Sequence, residues 1–203
     1  MVNEVRRDYL LNRHVIVALE RAKRPTDYIL EKPELDVGKV CAFCPGNEAM
    51  TPPANAVYLL KDGQIVKERD SEIHRPKEWA VRCFPNLYPA LRPTADKSET
   101  LGSVPLVRAS AYGFHEVVVE SPNHNEHPHN ARLSQLELMF NACLDLLREY
   151  YDDSLIEYVQ IFRNHGRQGG ASLSHPHTQI IATPITPKNI REEINGSKQY
   201  YRE

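Results

Sequence analysis

The sequence has no apolar stretch long enough to cross a bilayer, and its start, MVNEVRRDYLLNRH, lacks the apolar core of a secretory signal. It also has little net charge, because 25 Lys and Arg against 27 Asp and Glu give a formal charge of -2. Such a chain has no global field that attracts nucleic acid or an anionic membrane. We therefore expect a cytoplasmic protein that binds neither, and any phosphate binding must be local.

Cysteine is also scarce, since four cysteines in 203 residues do not make a disulfide scaffold. Cys41 and Cys44 form a C-x-x-C followed by a Pro-Gly turn signal, whereas a thioredoxin-like pair would open a helix after a strand. A C-x-x-C in a turn is typical of zinc sites. Zinc takes four ligands, so folding must bring two more, most plausibly histidines. Cys83 and Cys143 lie in apolar patterns and are interpreted as core residues.

Period-two runs with short turns between them predict more strands than helices, and 41% hydrophobic residues can form a real core. An Asp62-Gly63 turn predicts a hairpin between two of these runs. The fold class is therefore α+β, an antiparallel sheet with helices packed on one face. The predicted strands are 15–19, 56–60, 65–69, 78–84, 114–120, 156–162 and 177–183, and the predicted helices are 133–153 and 190–203.

The first predicted helix has the clearest boundary signals. Ser134 followed three residues later by Glu137 indicates an N-cap with a capping box. One apolar stripe indicates the face that packs on the sheet. Its members are Leu136, Met139, Phe140, Cys143, Leu144 and Leu147. Residues 94–109, in contrast, have the composition of a mobile segment.

Residues 170–182, GASLSHPHTQIIA, place polar groups in front of an apolar run. In an extended chain His175, His177 and Gln179 share one face, since successive side chains alternate. The glycines before them allow close backbone approach to a ligand, and successive N–H groups there can hold an anion. A second His-Pro-His at 127–129 lies in a polar stretch and is interpreted as a surface loop.

Five segments together, in order over nearly the whole chain, resemble the galactose-1-phosphate uridylyltransferase family of the histidine-triad superfamily. They are RAKRP at 21–25, CAFCPGNE at 41–48, VRCFPNLYPAL at 81–91, VVVESPNH at 117–124 and NHGRQGGASLSHPHTQ at 164–179. The resemblance implies a histidine-triad-like fold for residues 1–203, as one domain. That family is normally built from two related halves, and we expect this chain to correspond to about the N-terminal half.

The resemblance implies a structural Zn²⁺ held by Cys41, Cys44, His124 and His175, a closed tetrahedral set that does not activate water. His127 and His129 remain rival ligands to His124. The resemblance also implies catalytic roles for two residues of the last segment. His177 is expected to be the nucleophile, and Gln179 to donate hydrogen bonds to phosphoryl oxygens as charge shifts onto them. The residues expected to bind substrate are Arg21, Arg24, Phe84, Asn86, Asn164, Gly170 and Ser172.

The implied reaction moves a uridylyl group between UDP-hexose and hexose 1-phosphate through a covalent nucleotidyl-histidine, as in galactose metabolism. The expected partners are thus a nucleotide sugar and a sugar 1-phosphate, with a homodimer as a possible assembly. One alternative is a phosphorylase that uses ADP-sugars or dinucleoside polyphosphates. Another is a nucleotide-binding module without turnover, against which the intact SHPHTQ segment argues.

Overall fold

The structure is a computed structural model that describes residues 3–7, 14–18, 21, 40–93, 100–102, 107–166 and 168–202. Within these ranges the chain forms ten strands and two α-helices. The strands are β1 (Glu4–Arg7), β2 (His14–Val17), β3 (Ala56–Lys61), β4 (Gln64–Glu68), β5 (Trp79–Pro85), β6 (Thr100–Leu101), β7 (Arg108–Ser110), β8 (Phe114–Val119), β9 (Tyr158–Phe162) and β10 (His177–Thr183). The helices are α1 (Leu133–Tyr151) and α2 (Lys188–Arg202).

Six strands form the main antiparallel sheet, in the order β4-β3-β5-β8-β10-β9. Strand β10 lies between β8 and β9, with Gln179 opposite Val117 on one side and Phe162 on the other. The β3–β4 hairpin turns at Asp62 and Gly63, whose φ angles of 51° and 77° are both positive. Two positive values are what a tight two-residue hairpin turn requires, so the turn prediction is confirmed.

The two faces of the main sheet bury different sets of side chains. One face packs against α1 and contributes, among others, Tyr58, Val118 and Ile180. The opposite face holds a smaller cluster that includes Trp79, Phe84, Val117 and Val119. His177 and Gln179 point to this second face, because they lie opposite Val119 and Val117 in the β8–β10 register. The predicted antiparallel sheet with helices on one face is confirmed, with α1 as the helix that packs there, and the polar motif lies on the face away from α1.

The buried face of α1 differs from the prediction. Phe140 and Leu144 were expected in the core, but their side chains are 59% and 43% exposed. Leu136 and Leu147 pack only at the edge of the core. The stripe that packs on the sheet is rotated by about one residue and follows a clean i, i+4 spacing. Its buried members are Leu138, Met139, Ala142, Cys143, Leu146 and Tyr150.

The predicted N-cap of α1 is also wrong. The helix begins at Leu133, the cap position is Arg132, and no side chain caps it. The neighbouring Gln135 holds the first turn in place, because its amide donates to the carbonyls of Ala80 and Glu120, at 2.8 and 2.7 Å. These bonds tie the first turn to the sheet, whereas a cap would accept hydrogen bonds from the backbone N–H groups of that turn.

The C-terminal helix agrees with its predicted range and has no buried residue along Lys188–Arg202. Neither described helix has the length and apolar character that a bilayer-crossing segment requires.

A second, four-stranded sheet in the order β2-β1-β7-β6 was not predicted. Its strands have two to four residues; β2 overlaps the predicted strand 15–19, and the other three are too short to show a period. Strands β6 and β7 fall within the segment interpreted as mobile, so that interpretation is wrong for 100–101 and 108–109. Residues 94–99 and 103–106 lie outside the described residues.

Glu116 is a carboxyl group buried under α1, with 3% of its surface exposed. Burial raises its pKa from 4.5 to about 8, against hydrogen bonds from Tyr150 and Asn55 that act in the opposite direction. Between these values the folded chain holds a proton that the unfolded chain releases. The free energy of unfolding therefore falls as the pH rises from about 4.5 to 8, by at most about 1.4 kcal/mol per pH unit.

The Glu116→Gln variant removes this titration while keeping a side-chain oxygen for the Asn55 amide, which donates to Glu116 at 3.1 Å. We expect urea unfolding at pH 5, 6, 7 and 8 to show a flatter decline for the variant than for the unsubstituted chain. Parallel declines would contradict the burial-driven shift.

Candidate active site and metal centre

The C-x-x-C segment, residues 41–44, lies in a compact turn. The Cys44 N–H donates to the Cys41 carbonyl at 3.2 Å, and the Asn47 N–H donates to the Cys44 carbonyl at 3.2 Å. The Asn47 side chain also donates to the Cys41 carbonyl, at 2.9 Å. Gly46 has a φ of 91°, a conformation that other residues rarely adopt. The Pro-Gly turn signal is thus confirmed, and both thiols leave the turn on the same side.

Glu48 anchors this turn to the main sheet. Its carboxylate accepts from the Trp79 indole N–H at 2.9 Å and from the Gly46 N–H at 3.0 Å. Glu48 is 7% exposed and Trp79 3%, so the contact is shielded from water. The turn is therefore held against the face that carries His177 and Gln179.

The turn brings both thiols to two histidines that are far away in sequence. The four ligand atoms of Cys41, Cys44, His124 and His175 lie within 4.8 Å of one another. His175 Nδ1 is 3.7 Å from Cys41 Sγ and 3.6 Å from Cys44 Sγ, and His124 Nδ1 is 3.4 Å from Cys44 Sγ. Tetrahedral zinc with Zn–S near 2.3 Å and Zn–N near 2.0 Å separates its ligands by about 3.3 to 3.8 Å. The three Sγ–Nδ1 separations therefore suit a Cys₂His₂ zinc site.

The donor groups also have the electrostatics of ligands. Burial, followed by the charge of Cys41, raises the pKa of Cys44 to about 11, so a thiolate there needs a compensating cation. Burial lowers the pKa of His175 to about 4, which keeps its imidazole neutral. The His175 Nε2–H donates to the Ser121 carbonyl at 2.9 Å, which turns the Nδ1 lone pair toward the thiols. His124 Nε2 contacts Ser174 Oγ at 3.1 Å in the same manner.

The second His-Pro-His lies apart from this cluster, in turn structure after His124. The His127 ring is within 3.0 Å of an Arg163 nitrogen, and His129 is exposed. Among the described residues only His124 joins Cys41, Cys44 and His175 as a possible metal ligand group. The structure thus places His124, rather than its two rivals, at the cluster.

His177 begins β10 two residues after the candidate ligand His175 and is 8% exposed. Its Nδ1–H donates to the His175 carbonyl at 2.8 Å. This bond fixes the tautomer in which Nε2 carries the lone pair, the nitrogen that can attack an electrophile. The backbone of a candidate metal ligand thus orients the imidazole expected to react.

A cleft of about 250 Å³ opens beside His177. Phe43 crosses it edge-on, with ring centroids 5.6 Å from Phe84 and 5.4 Å from His177. One part of the cleft wall is apolar and the other part holds a few polar side chains, a combination typical of ligand sites. The lining comprises Ala42, Phe43, Met50, Thr51, Pro52, Phe84, Asn86, Leu87, Tyr88, Val117, Ser172, Leu173, His177 and Gln179.

The structure brings five of the expected substrate-binding and catalytic residues into this lining: Phe84, Asn86, Ser172, His177 and Gln179. Asn164 and Gly170 are neighbours in the preceding loop, where a Cβ on Gly170 would lie 3.9 Å from the Asn164 amide nitrogen. They are not among the residues that line the cleft. Arg21 donates to the Tyr88 carbonyl at 3.0 Å, close behind the cleft. Arg24 lies outside the described residues.

Sequence reasoning missed Phe43 and His115. Phe43 stands between the two cysteines, where no pattern marks it as a wall of the cleft. His115 is buried, 3% exposed, and its Nε2 is 3.0 Å from Gln179 Oε1. A signal for His115 existed, because in the predicted strand 114–120 it shares the face of Val117 and Val119. A polar residue on an otherwise apolar face needs a hydrogen-bond partner.

Comparisons with known proteins identify a matching family and several relatives. A sequence model described as galactose-1-phosphate uridyl transferase, N-terminal domain, matches residues 1–187. An ADP-glucose phosphorylase from Arabidopsis thaliana is 32% identical over 98% of this chain and 54% of its own length. A galactose-1-phosphate uridylyltransferase from Thermotoga maritima is 33% identical over 63% of this chain and 40% of its own length.

Among solved structures, an ADP-glucose phosphorylase from Arabidopsis thaliana with bound ADP-glucose superimposes with a TM-score of 0.65 and 28% identity. The match covers 100% of this chain and 55% of that one. The chain spans about half the length of the relatives it matches.

Proposed function

The chain belongs to the galactose-1-phosphate uridyl transferase family, and we propose that it is a nucleotidyltransferase that works through a covalent nucleotidyl-His177 intermediate. The proposed reaction moves a uridylyl group between UDP-hexose and hexose 1-phosphate. The observation that carries it is the hydrogen bond from His177 Nδ1–H to the His175 carbonyl, in a cleft that also presents Gln179 and Ser172. A fixed neutral imidazole can attack phosphorus without a separate base.

In the first step His177 Nε2 attacks the α-phosphorus of the nucleotide sugar. An N–P bond forms and the bond from the α-phosphorus to the bridging oxygen breaks, so the sugar 1-phosphate leaves with the electron pair. In the second step a phosphate oxygen of another sugar 1-phosphate attacks the α-phosphorus and the N–P bond breaks. Sugar phosphates leave without much acid help, so neither step needs a strong acid in the cleft.

The polar lining has a role in this chemistry. Gln179 gives no proton at neutral pH, but its amide N–H groups can bond the non-bridging phosphoryl oxygens as their charge grows. Ser172 offers a hydroxyl to the same phosphates, with the N–H groups around Gly170 as further donors. We also assign Asn164 and Arg21 to the region of the phosphates and ribose, the roles expected for their segments.

The apolar lining suits a nucleoside. Phe43 and Phe84 are in edge-to-face contact, 5.6 Å between centroids, and present aromatic surface to a base. Asn86 stands at the end of β5 and offers an amide for hydrogen bonds to the base or ribose. The aromatic pair would stack on the base, and the Asn86 amide would fix the orientation of the nucleoside through its hydrogen bonds.

A Zn²⁺ ion would be held by Cys41, Cys44, His124 and His175, and with all four positions filled by protein it supplies cross-linking rather than water activation. The four residues come from the turn at 41–44, the segment after β8 and the segment before β10. Joining them would fix the His175 carbonyl, and with it the imidazole of His177.

A second candidate is an ADP-sugar phosphorylase on the same site. It is favoured by the Arabidopsis thaliana ADP-glucose phosphorylase, which is 32% identical over 98% of this chain. The first step is then the transfer of adenylyl to His177, and inorganic phosphate attacks in the second step to release ADP. Only the base and the final acceptor differ.

Incubation of the chain with UDP-glucose or ADP-glucose, each labelled at the α-phosphorus, tests the proposal. We expect an acid-labile, base-stable label on the protein and stoichiometric release of glucose 1-phosphate. Labelling by UDP-glucose supports uridylyl transfer, and labelling by ADP-glucose alone supports the phosphorylase. Tight nucleotide binding without a label from either would overturn nucleotidyl transfer and favour a binding module.

A further inference from the structure

His115 lies on β8, between the end of β5 and strand β10, beneath the cleft. Its ring is buried, with 3% of the residue exposed. The backbone N–H of Ala90 donates to His115 Nδ1 at 3.0 Å. A backbone N–H can only donate, so Nδ1 must act as an acceptor and the ring proton of the neutral imidazole lies on Nε2.

The protonated Nε2 of His115 faces Gln179 and determines the orientation of its amide. Nε2–H donates to Gln179 Oε1 at 3.0 Å. Asn86 Nδ2 lies 3.2 Å from the same ring nitrogen, but both groups carry hydrogen, so this contact is not a hydrogen bond. The Asn86 amide is oriented instead by the Tyr88 N–H, which donates to its Oδ1 at 2.9 Å. The Gln179 oxygen thus faces the buried His115 ring, and the NH₂ group lies at the opposite end of the amide.

The direction of this amide matters for an anionic ligand. A glutamine amide has a donor end and an acceptor end of nearly equal size, and rotation about its last bond exchanges them. An NH₂ group facing a phosphate stabilises negative charge, whereas a carbonyl oxygen in its place repels it. Gln179 lines the cleft beside His177, so the end that it presents decides which of these effects operates.

We infer that His115 is a positioning residue that holds the amide of Gln179 with its NH₂ group toward the phosphoryl oxygens of the nucleotide. The relay begins at the Ala90 N–H, which fixes the tautomer of His115, and ends at Gln179. The inference rests on the proposed function for the identity of the anion. The hydrogen-bond relay itself does not depend on turnover.

Two variants separate the two ends of the His115 ring. His115→Asn keeps an acceptor near the Nδ1 position but provides no donor that reaches Gln179. His115→Gln places an amide nitrogen near the Nε2 position. We expect His115→Asn to lower the single-turnover rate of His177 labelling at saturating nucleotide sugar by about 10 to 100-fold, a range typical of outer hydrogen-bond partners. We expect His115→Gln to recover at least about tenfold of this loss.

A double variant tests whether the effect passes through Gln179. If it does, adding His115→Asn to Gln179→Ala costs no further rate. Independent, multiplying losses would overturn the inference, as would equal losses in His115→Asn and His115→Gln.

A readout without turnover distinguishes this inference from the proposed function. Nitrogen-15 NMR of the unsubstituted chain should show His115 protonated on Nε2 only, and titration with ADP and with UDP should shift the Gln179 side-chain NH₂ signals. If His177 is not labelled but His115 is protonated on Nε2 and the Gln179 NH₂ signals shift, the proposed reaction is rejected and the positioning role of His115 is not. A His115 ring protonated on Nδ1, or NH₂ signals unmoved by both nucleotides, overturns the positioning even where labelling occurs.

Discussion

His177→Asn should abolish the covalent label and lower nucleotidyl transfer by at least about 10⁴-fold, since removal of a covalent nucleophile costs on the order of 10⁶-fold. Asparagine can occupy the place of Nδ1 and keep a donor for the His175 carbonyl, 2.8 Å away in the native site. It has no nitrogen lone pair at the position of Nε2. The fold and the cleft therefore persist while the attacking atom is lost. The measurement is acid-labile protein-bound phosphorus after incubation with each α-labelled nucleotide sugar.

The chain offers a matched control for this substitution in its second His-Pro-His. His129→Asn makes the same change in the same local sequence, at an exposed position outside the Cys₂His₂ cluster. We expect this variant to be labelled at the rate of the unsubstituted chain. A label that persists in His177→Asn would assign the nucleophile to another residue, and an equal loss in both variants would point to a general effect on the fold.

The sequence predicted most reliably those features whose signal lies in a short local pattern of residues. The β10 strand follows from the alternation in HTQIIAT, and its placement of His177 and Gln179 on one face is confirmed by the β8–β10 register. The turn at Cys41 and Cys44 follows from its Pro-Gly pair. In each case the signal lies within a few residues, so no knowledge of distant contacts is needed.

The failures lie where distant contacts decide. Phe140 and Leu144 are as apolar as the buried residues of α1, and only the sheet beneath selects which of two adjacent stripes packs. Ser134 lies inside α1 and does not cap it, and the first turn is held by Gln135, which donates to carbonyls 55 and 15 positions away in sequence. The position of His115 on an apolar strand face indicates that it needs a polar partner, but its partners Ala90 and Gln179 are 25 and 64 positions away, and no local pattern identifies them.

Cys41→Ser should have the largest effect on stability, because it removes one of four ligands from the Cys₂His₂ cluster. Structural zinc contributes about 10 to 16 kcal/mol in small zinc-finger peptides. Here the main sheet has its own core, so we expect a smaller loss. Even about 4 kcal/mol would lower the Tm by about 8 to 16 °C in a chain of this size. Metal analysis of the purified protein should fall from one zinc per chain to much less than one.

The same variant tests whether the metal orients the imidazole. His175 is at once a candidate ligand through Nδ1 and, through its carbonyl, the acceptor for His177 Nδ1–H. Releasing its side chain frees that carbonyl, so labelling of His177 should decline together with zinc. Cys143→Ala is the control, because this buried thiol lies on the face of α1 that packs on the sheet, outside the cluster, and its removal destabilises the core without touching a ligand. Zinc and labelling should persist in the control at temperatures below its Tm. Loss of zinc from Cys41→Ser with labelling intact would separate the metal from the orientation of His177.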